Sequence, residues 1–118
     1  MEYFYGNLEE ATIENPYYRR VLATTPTMQL VMMSLLPQEE IGMEIHPDTT
    51  QFIRVERGVG MAIVDNQSYE LSDGVYIVIP PNTNHNIINT STSDRLQLYT
   101  IYSPPEHARG KLEPVKME

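Results

Sequence analysis

The chain has 118 residues, the size of one compact domain. It contains no cysteine, which excludes disulfide frameworks, thiolate zinc sites and cysteine nucleophiles. Sixteen acidic residues against eight basic ones give a net charge of −8, which argues against nucleic acid or an anionic membrane as a partner. Val, Ile and Thr together number 28 against 4 Ala. This balance favours strands over helices, because β-branched side chains pack well on a pleated sheet.

The first residues of the chain form an acidic arm. Within residues 1–16 we expect a short helical turn over 8–13, ended by the turn signal Asn15-Pro16. Three aromatic residues are too apolar for a free tail and should pack on the domain or on a second subunit: Tyr3, Phe4 and Tyr5. Residues 1–26 are therefore assigned to an arm and a first edge strand.

Short runs rich in β-branched and aromatic residues follow, each bounded by turn residues. They are Arg19–Thr25, Met28–Leu36, Gly42–His46, Gln51–Glu56, Gly60–Asp65, Gln67–Leu71, Val75–Ile79, His85–Asn89 and Arg95–Tyr102. Strands at this spacing predict an all-β, antiparallel sandwich or barrel. Consecutive prolines at 104 and 105 end the last strand, because proline cannot donate to a ladder. Residues 104–118 are expected to form a polar, extended tail.

Segments that would direct the chain to a membrane or out of the cell are not visible. No stretch approaches the ~18 consecutive apolar residues that a membrane-spanning helix needs. The first ten residues have neither the basic nor the apolar region of a secretory signal. Together with the lack of cysteine, this predicts a cytoplasmic protein.

Four polar residues are candidate metal ligands. Glu44 and His46 are two apart in a predicted strand, so their side chains leave the same face of the sheet. Gln51 opens the next strand, and His85 follows a Pro-Pro-Asn turn. If these hairpins lie on facing sheets, the four side chains converge, and two imidazoles, a carboxylate and an amide oxygen suit a divalent metal with an open position. The alternative is that they are solvated strand residues, and spacing alone does not decide between the two.

The spacing of these residues matches two motifs of a known family. Glu44-Ile45-His46, Gln51 and Gly58 occupy the places of His-x-His, Glu and Gly in the first motif. The second motif, Gly-x5-Pro-x-Gly-x2-His-x3-Asn, is matched by five residues in order: Gly74, Pro80, Asn82, His85 and Asn89. Asn82 replaces a glycine, but Asn also tolerates the left-handed conformation. Over residues 27–102 the chain therefore resembles a cupin.

The resemblance implies a fold and a cofactor. The fold is an antiparallel double-stranded β-helix, the jelly-roll or cupin barrel, over residues 27–103. The cofactor is one divalent metal ion, zinc, manganese, iron or nickel, at Glu44, His46, Gln51 and His85. The usual cupin set has three histidines and a glutamate, so here Glu44 replaces a His and Gln51 replaces the Glu. One carboxylate remains, but an amide oxygen is a poorer donor, so a weaker site is expected, and the alternative is a cupin that has lost its metal.

A closer resemblance points to a function. Residues 51–56 and 99–107 look like small single-domain cupins related to mannose-6-phosphate isomerase, and residues 44–48 are similar to the metal-binding stretch of the larger isomerases. This implies isomerisation of a sugar or sugar phosphate. Arg57, on the same predicted face as Gln51, is the candidate for the anion contact, and Tyr99 is a candidate for the pocket wall. No general base is identified, and His107 is expected at the rim or on the surface.

Two other functions remain open. Two histidines and one carboxylate also resemble the iron triad of a metal-dependent dioxygenase acting on a small organic molecule. The third possibility is a non-catalytic cupin that only binds a small ligand. In each case the expected partner is a small molecule, such as a carbohydrate, and not nucleic acid or a membrane. We further expect a homodimer, which would cover the edge strands.

Overall fold

The computed structural model describes residues 2–117 and is built from strands, with one short helix. The elements in chain order are α1 (Leu8–Glu14), β1 (Arg19–Thr24), β2 (Gln29–Leu35), β3 (Thr50–Arg57), β4 (Gly60–Val64), β5 (Gln67–Leu71), β6 (Tyr76–Ile79), β7 (His85–Asn89), β8 (Leu96–Ser103) and β9 (Leu112–Glu113). Eight of the predicted strands are found to within one or two residues. No helix among residues 2–117 is long and apolar enough to cross a membrane.

The strands form two antiparallel sheets that face each other. The larger sheet has the order β6-β3-β8-β2-β1-β9 and the smaller sheet the order β5-β4-β7. Side chains from the inner faces of both sheets make one apolar core, whose fully buried members include Val31, Leu35, Val55, Ala62, Leu96 and Leu98. This arrangement confirms the predicted all-β jelly-roll barrel, and it places β3 and β7 on opposite walls.

Helix α1 covers one end of the outer face of the larger sheet. The side chain of Asn7 caps the helix by accepting from the N–H of Glu10 at 2.9 Å. The helix contacts β8, β3 and β2, and the amide of Gln97 donates to the carbonyl of Ile13 at 2.5 Å. The helical turn expected over 8–13 is confirmed, and it leaves the inner face of the sheet free for the site.

The strand predicted over Gly42–His46 is wrong. Residues 40–44 meet β7 at two isolated bridges, one from Glu40 to Ile88 and one from Glu44 to His85, and form no continuous ladder with it. Between them Gly42 has φ +105°, a left-handed conformation that interrupts an extended chain. The segment is therefore a loop held to β7 at two points, and the second point places Glu44 beside His85.

A bulge in β3 changes the direction of the side chains that follow it. Val55 pairs with Leu98 and Arg57 pairs with Gln97, which leaves Glu56 as an extra residue. The alternation of inward- and outward-facing side chains that starts at Gln51 therefore ends at Val55. Val55 is fully buried, and Arg57 is exposed. The prediction that Arg57 shares the inner face with Gln51 is wrong for this reason.

The C-terminal tail joins the larger sheet. Two of its residues form β9, in which Glu113 pairs with Arg19 and Leu112 with Arg20. Closer to the barrel, Gln29 at the start of β2 binds the tail backbone, accepting from the N–H groups of Glu106 and His107 at 3.1 and 2.9 Å. The tail is thus folded against the barrel, and this brings Glu106 next to His46 and His107 next to Tyr102.

Candidate metal centre

Three predicted ligands meet in the barrel. One ligand atom from each of Glu44, His46 and His85 lies within 4.8 Å of the other two. The two imidazole rings are 5.1 Å apart between centroids, and Nε2 of His46 is 3.8 Å from Oε1 of Glu44. Both histidines are buried, while the carboxylate side chain of Glu44 is 31% exposed. These separations suit donors arranged around one ion with bonds of about 2 Å.

The opposite ring nitrogens of the two histidines face acceptor oxygens. Nδ1 of His85 donates to the carbonyl of Thr83 at 2.9 Å, and Nδ1 of His46 lies 3.1 Å from a carboxylate oxygen of Glu106. Since the protons are held at Nδ1, the lone pairs are at Nε2. Both Nε2 atoms are buried and have no hydrogen-bond partner among the described residues.

Gln51 also has a buried side-chain acceptor without a hydrogen-bond partner within residues 2–117, its Oε1. Its Nε2 donates to the hydroxyls of Thr100 at 3.0 Å and Tyr102 at 3.3 Å. This fixes the orientation of the amide and leaves Oε1 buried without a partner. Tyr102 in turn packs edge-on against His46, with 5.8 Å between ring centroids. Gln51 thus belongs to the same polar cluster as the two histidines.

The donor atoms fit a divalent metal. A buried polar atom without a hydrogen bond costs about 1–3 kcal/mol, and here two imidazole nitrogens and one amide oxygen are left in this state. Neutral imidazole nitrogen, carboxylate oxygen and amide oxygen are all ligands of first-row divalent ions. His46, His85 and Glu44 would hold the ion, with Gln51 as the fourth ligand.

The turn before His85 ties the two histidine-bearing segments together. Asn82 has φ 60°, the left-handed conformation expected for a residue that replaces a glycine. Its N–H donates to the carbonyl of His46 at 2.7 Å. The second-motif turn therefore positions His46 as well as His85.

Arg57 and Tyr99 lie away from this cluster. Arg57 is exposed at the far end of β3, six residues from Gln51, which is about 20 Å along a strand. Thr100 and Tyr102 point to the inner face of β8, so Tyr99 points to the outer face. There its ring is 6.1 Å from that of Phe52, between centroids. The structure brings neither residue to the metal ligands.

His107 is partly buried, which agrees with the position expected at the rim and not with one on the open surface. Its ring packs edge-on against Tyr102 at 5.1 Å between centroids, and its Nε2 is buried without a partner. Burial, followed by the positive charge of Arg19, lowers the pKa of His107 from 6.5 to about 4. His107 is therefore neutral at pH 7.

Arg19 is a buried residue that the sequence did not indicate. It is 7% exposed, and its Nη1 donates to Glu113 at 2.5 Å. Burial on its own lowers the pKa of Arg19, but the bond to Glu113 and the charges of Tyr102, Tyr18 and Glu113 together raise it, so the guanidinium stays charged. Burial also raises the pKa of Tyr102 above 10, so its hydroxyl stays protonated at neutral pH. No local motif indicates Arg19 or His107, because long-range contacts place both side chains.

The chain matches the cupin domain family over residues 31–102. Because this match covers more than half of the chain, the protein belongs to the cupins. The crystal structure of BH2720 from Bacillus halodurans is similar to the whole chain, with a TM-score of 0.91 at 40% identity over 95% of this chain and 89% of that chain. This likeness extends beyond residues 31–102 to the arm and the tail.

Two curated relatives are similar in sequence. Protein L612 of Acanthamoeba polyphaga mimivirus is 50% identical over 110 residues, which cover 91% of this chain and 69% of the relative. Protein YrkC of Bacillus subtilis is 38% identical over 121 residues, which cover 98% of this chain and 64% of the relative. The chain thus spans about two thirds of the length of these proteins, and neither name states an activity.

Proposed function

We propose that this cupin binds one divalent metal ion and uses it to bind and activate a small polar organic molecule inside the barrel. The observation that carries the proposal is the set of buried, unpaired atoms beside Glu44: Nε2 of His46, Nε2 of His85 and Oε1 of Gln51. Buried polar atoms in a protein core nearly always have a partner, which is a protein group, an ordered water, an ion or a ligand.

The residues around the ligands support a catalytic use of the site. Bound there, a divalent ion supplies a Lewis acid that polarises a carbonyl or hydroxyl oxygen. Glu106 orients His46, and the protonated hydroxyl of Tyr102 lies within hydrogen-bond distance of Gln51. His107, neutral and half-buried beside Tyr102, can donate or accept a proton at a bound molecule.

The reaction we propose is isomerisation of a small hydroxycarbonyl compound such as a sugar. It needs an electrophile and a group that moves a proton between neighbouring carbons. Glu106 and His107 are the candidates for that group, because both come from the tail segment that closes on His46 and Tyr102. A sugar phosphate is disfavoured at Arg57, which is exposed and remote from the ligands.

A dioxygenase is the second candidate. The favouring observation is that Glu44, His46 and His85 form a set of two histidines and one carboxylate, the set found in non-haem iron oxygenases. In that case Gln51 would not be a ligand throughout, because such iron sites keep positions open for oxygen and substrate.

Metal content tests the proposal. Protein purified without added metal and then dialysed against a trace mixture of zinc, manganese, iron and nickel should hold about one ion per chain by elemental analysis. His85→Ala should lose that ion, because it removes an imidazole ligand. Glu70→Gln changes an exposed carboxylate on β5 and should keep it. Stoichiometric metal in His85→Ala, or none in the unaltered protein, would overturn the proposal.

The identity of the ion separates the candidate reactions. Iron together with substrate-dependent oxygen uptake would favour the dioxygenase. Zinc, manganese or nickel without oxygen uptake would favour the isomerase. A stably bound ion with no turnover of hydroxycarbonyl compounds in either assay would favour a cupin that only binds its ligand.

A further inference from the structure

A second group of unpaired polar atoms lies beside the metal ligands. Nε of Arg19 and Nε2 of His107 are buried and have no hydrogen-bond partner among the described residues. Tyr102 joins the two regions, because its ring packs edge-on against His107 on one side, at 5.1 Å, and against His46 on the other, at 5.8 Å. His107 is therefore joined to the metal centre through Tyr102, although neither residue is a metal ligand.

Arg19 offers one free edge of its guanidinium. Glu113 accepts from Nη1, which is not part of the edge that Nε forms with Nη2. The plane of the group is supported by Tyr18, whose ring centroid lies 5.1 Å from Cζ of Arg19. A planar guanidinium edge with Nε free is the arrangement that binds a carboxylate with two parallel hydrogen bonds.

Hydrogen bonds to Gln29 hold the backbone of His107 in place. Fully buried Gln29 accepts from the N–H of His107 at 2.9 Å and donates to its carbonyl at 2.8 Å. After burial, the positive charge of Arg19 has the largest effect on the pKa of His107 and on that of Tyr102, and it lowers both. A neutral imidazole and a protonated phenol are thus in ring contact, within the electrostatic reach of a charged guanidinium.

We propose that Arg19, Tyr102 and His107 form a carboxylate-binding subsite, and that the small molecule bound by this cupin is an organic acid. The carboxylate takes the Nε edge of Arg19 and accepts from Tyr102 or His107. This assignment extends the proposed function, because the rest of the ligand reaches the metal, but the subsite itself does not require the metal. A carboxylate fits better than a phosphate dianion, because Glu113 already balances the single charge of Arg19.

Acetate is the probe for this subsite. In a titration followed by NMR, the side-chain Nε–H signal of Arg19 should shift in a saturable way, and that of exposed Arg20 should not. The shift should be present in metal-free as well as metal-loaded protein. Inorganic phosphate should bind more weakly than acetate, and tighter phosphate binding would overturn the carboxylate assignment.

Variants connect the signal to the subsite. Arg19→Lys keeps the positive charge for Glu113 but lacks the Nε edge, so acetate should bind about tenfold more weakly or worse. Arg20→Lys is the matched control and should bind acetate as the unaltered protein does. His107→Asn should weaken binding severalfold while the metal content stays at one ion per chain.

The outcomes separate this inference from the proposed function. Saturable binding at Arg19 in a protein that holds no metal would leave the subsite standing and overturn the metal proposal. A metal-loaded protein in which the Arg19 signal does not respond, or in which Arg19→Lys binds acetate unchanged, would overturn the subsite alone.

Discussion

At the scale of single residues, the interior of this barrel is unusual in its buried polar groups. An unsatisfied donor or acceptor costs about 1–3 kcal/mol, and the interior holds five of them among the described residues. In four of these five side chains, another atom of the same polar group contacts a fixed partner and so orients the unpaired atom. The four are His46, His85, Gln51 and Arg19. Oriented atoms without partners are what a ligand site requires.

The titration of His107 predicts a pH effect on stability. Its pKa is about 4 in the folded protein and 6.5 when unperturbed, so between these values the unfolded chain binds a proton that the folded chain does not. Stability from this source is complete above pH 6.5 and is lost as the pH falls towards 4. His107→Asn should therefore show a shallower loss of unfolding free energy over this interval.

Urea unfolding of metal-free protein between pH 4 and 7.5 measures this effect. The two proteins should differ in the slope below pH 6.5 and run parallel above it. Equal slopes over the whole range would mean that His107 is solvated and titrates normally.

The metal ligands could be recognised from the sequence, and the carboxylate subsite could not. Glu44, His46, Gln51 and His85 stand at motif spacings, so local pattern was enough to name them. Arg19 and His107 are positioned by β1–β9 pairing and by Gln29, contacts that span 78 residues or more along the chain. No periodicity or motif near either residue reports such contacts.

At the scale of elements, alternation and turn residues were enough to predict most strands. The errors occur where one residue interrupts the pattern. Gly42 at φ +105° turns the predicted strand over 42–46 into a loop, and the bulge at Glu56 turns Arg57 outward. The two-residue β9 is too short to give any pattern, and only its pairing with β1 defines it.

The contact between β2 and the tail predicts a coupling of stability to metal affinity. Gln29→Met keeps the size of the side chain but leaves the peptide groups of 106 and 107 without partners. We expect a loss of about 2 kcal/mol in unfolding free energy. We also expect about tenfold weaker metal binding, because Glu106 would no longer orient His46.

Chemical denaturation and competition with a chelator measure the two effects. Gln67→Met, at an exposed position on β5, is the control and should change neither quantity. Unchanged metal affinity in a destabilised Gln29→Met would show that the tail supports the fold but does not orient the ligand.

At the scale of the whole molecule, exposed apolar side chains gather around an unpaired edge strand. β6 is the edge of the larger sheet, and its Tyr76 and Val78 are 65% and 52% exposed. Tyr76 stacks on Phe52 of the neighbouring strand, with 6.0 Å between centroids. An edge strand beside such a surface tends to associate, and a second copy can pair with it antiparallel about a two-fold axis.

Homodimer formation therefore stays a prediction of the sequence, and the structure suggests where to test it. Light scattering at micromolar concentration should give twice the mass of the chain. Replacing Tyr76 and Val78 together by Lys should give a monomer that keeps its metal. A monomeric unaltered protein, or an unchanged dimer in the double variant, would contradict an interface at β6.

The central claim is that one divalent ion lies among Glu44, His46 and His85, and an anomalous-scattering map tests it most directly. Crystals of the protein loaded with zinc, measured on either side of the zinc edge, should give one strong peak per chain about 2 Å from Nε2 of both histidines. The carboxylate of Glu44 should complete the set, with Oε1 of Gln51 turned towards the peak. A peak elsewhere, or no peak with the two Nε2 atoms bonded to water, would contradict the account.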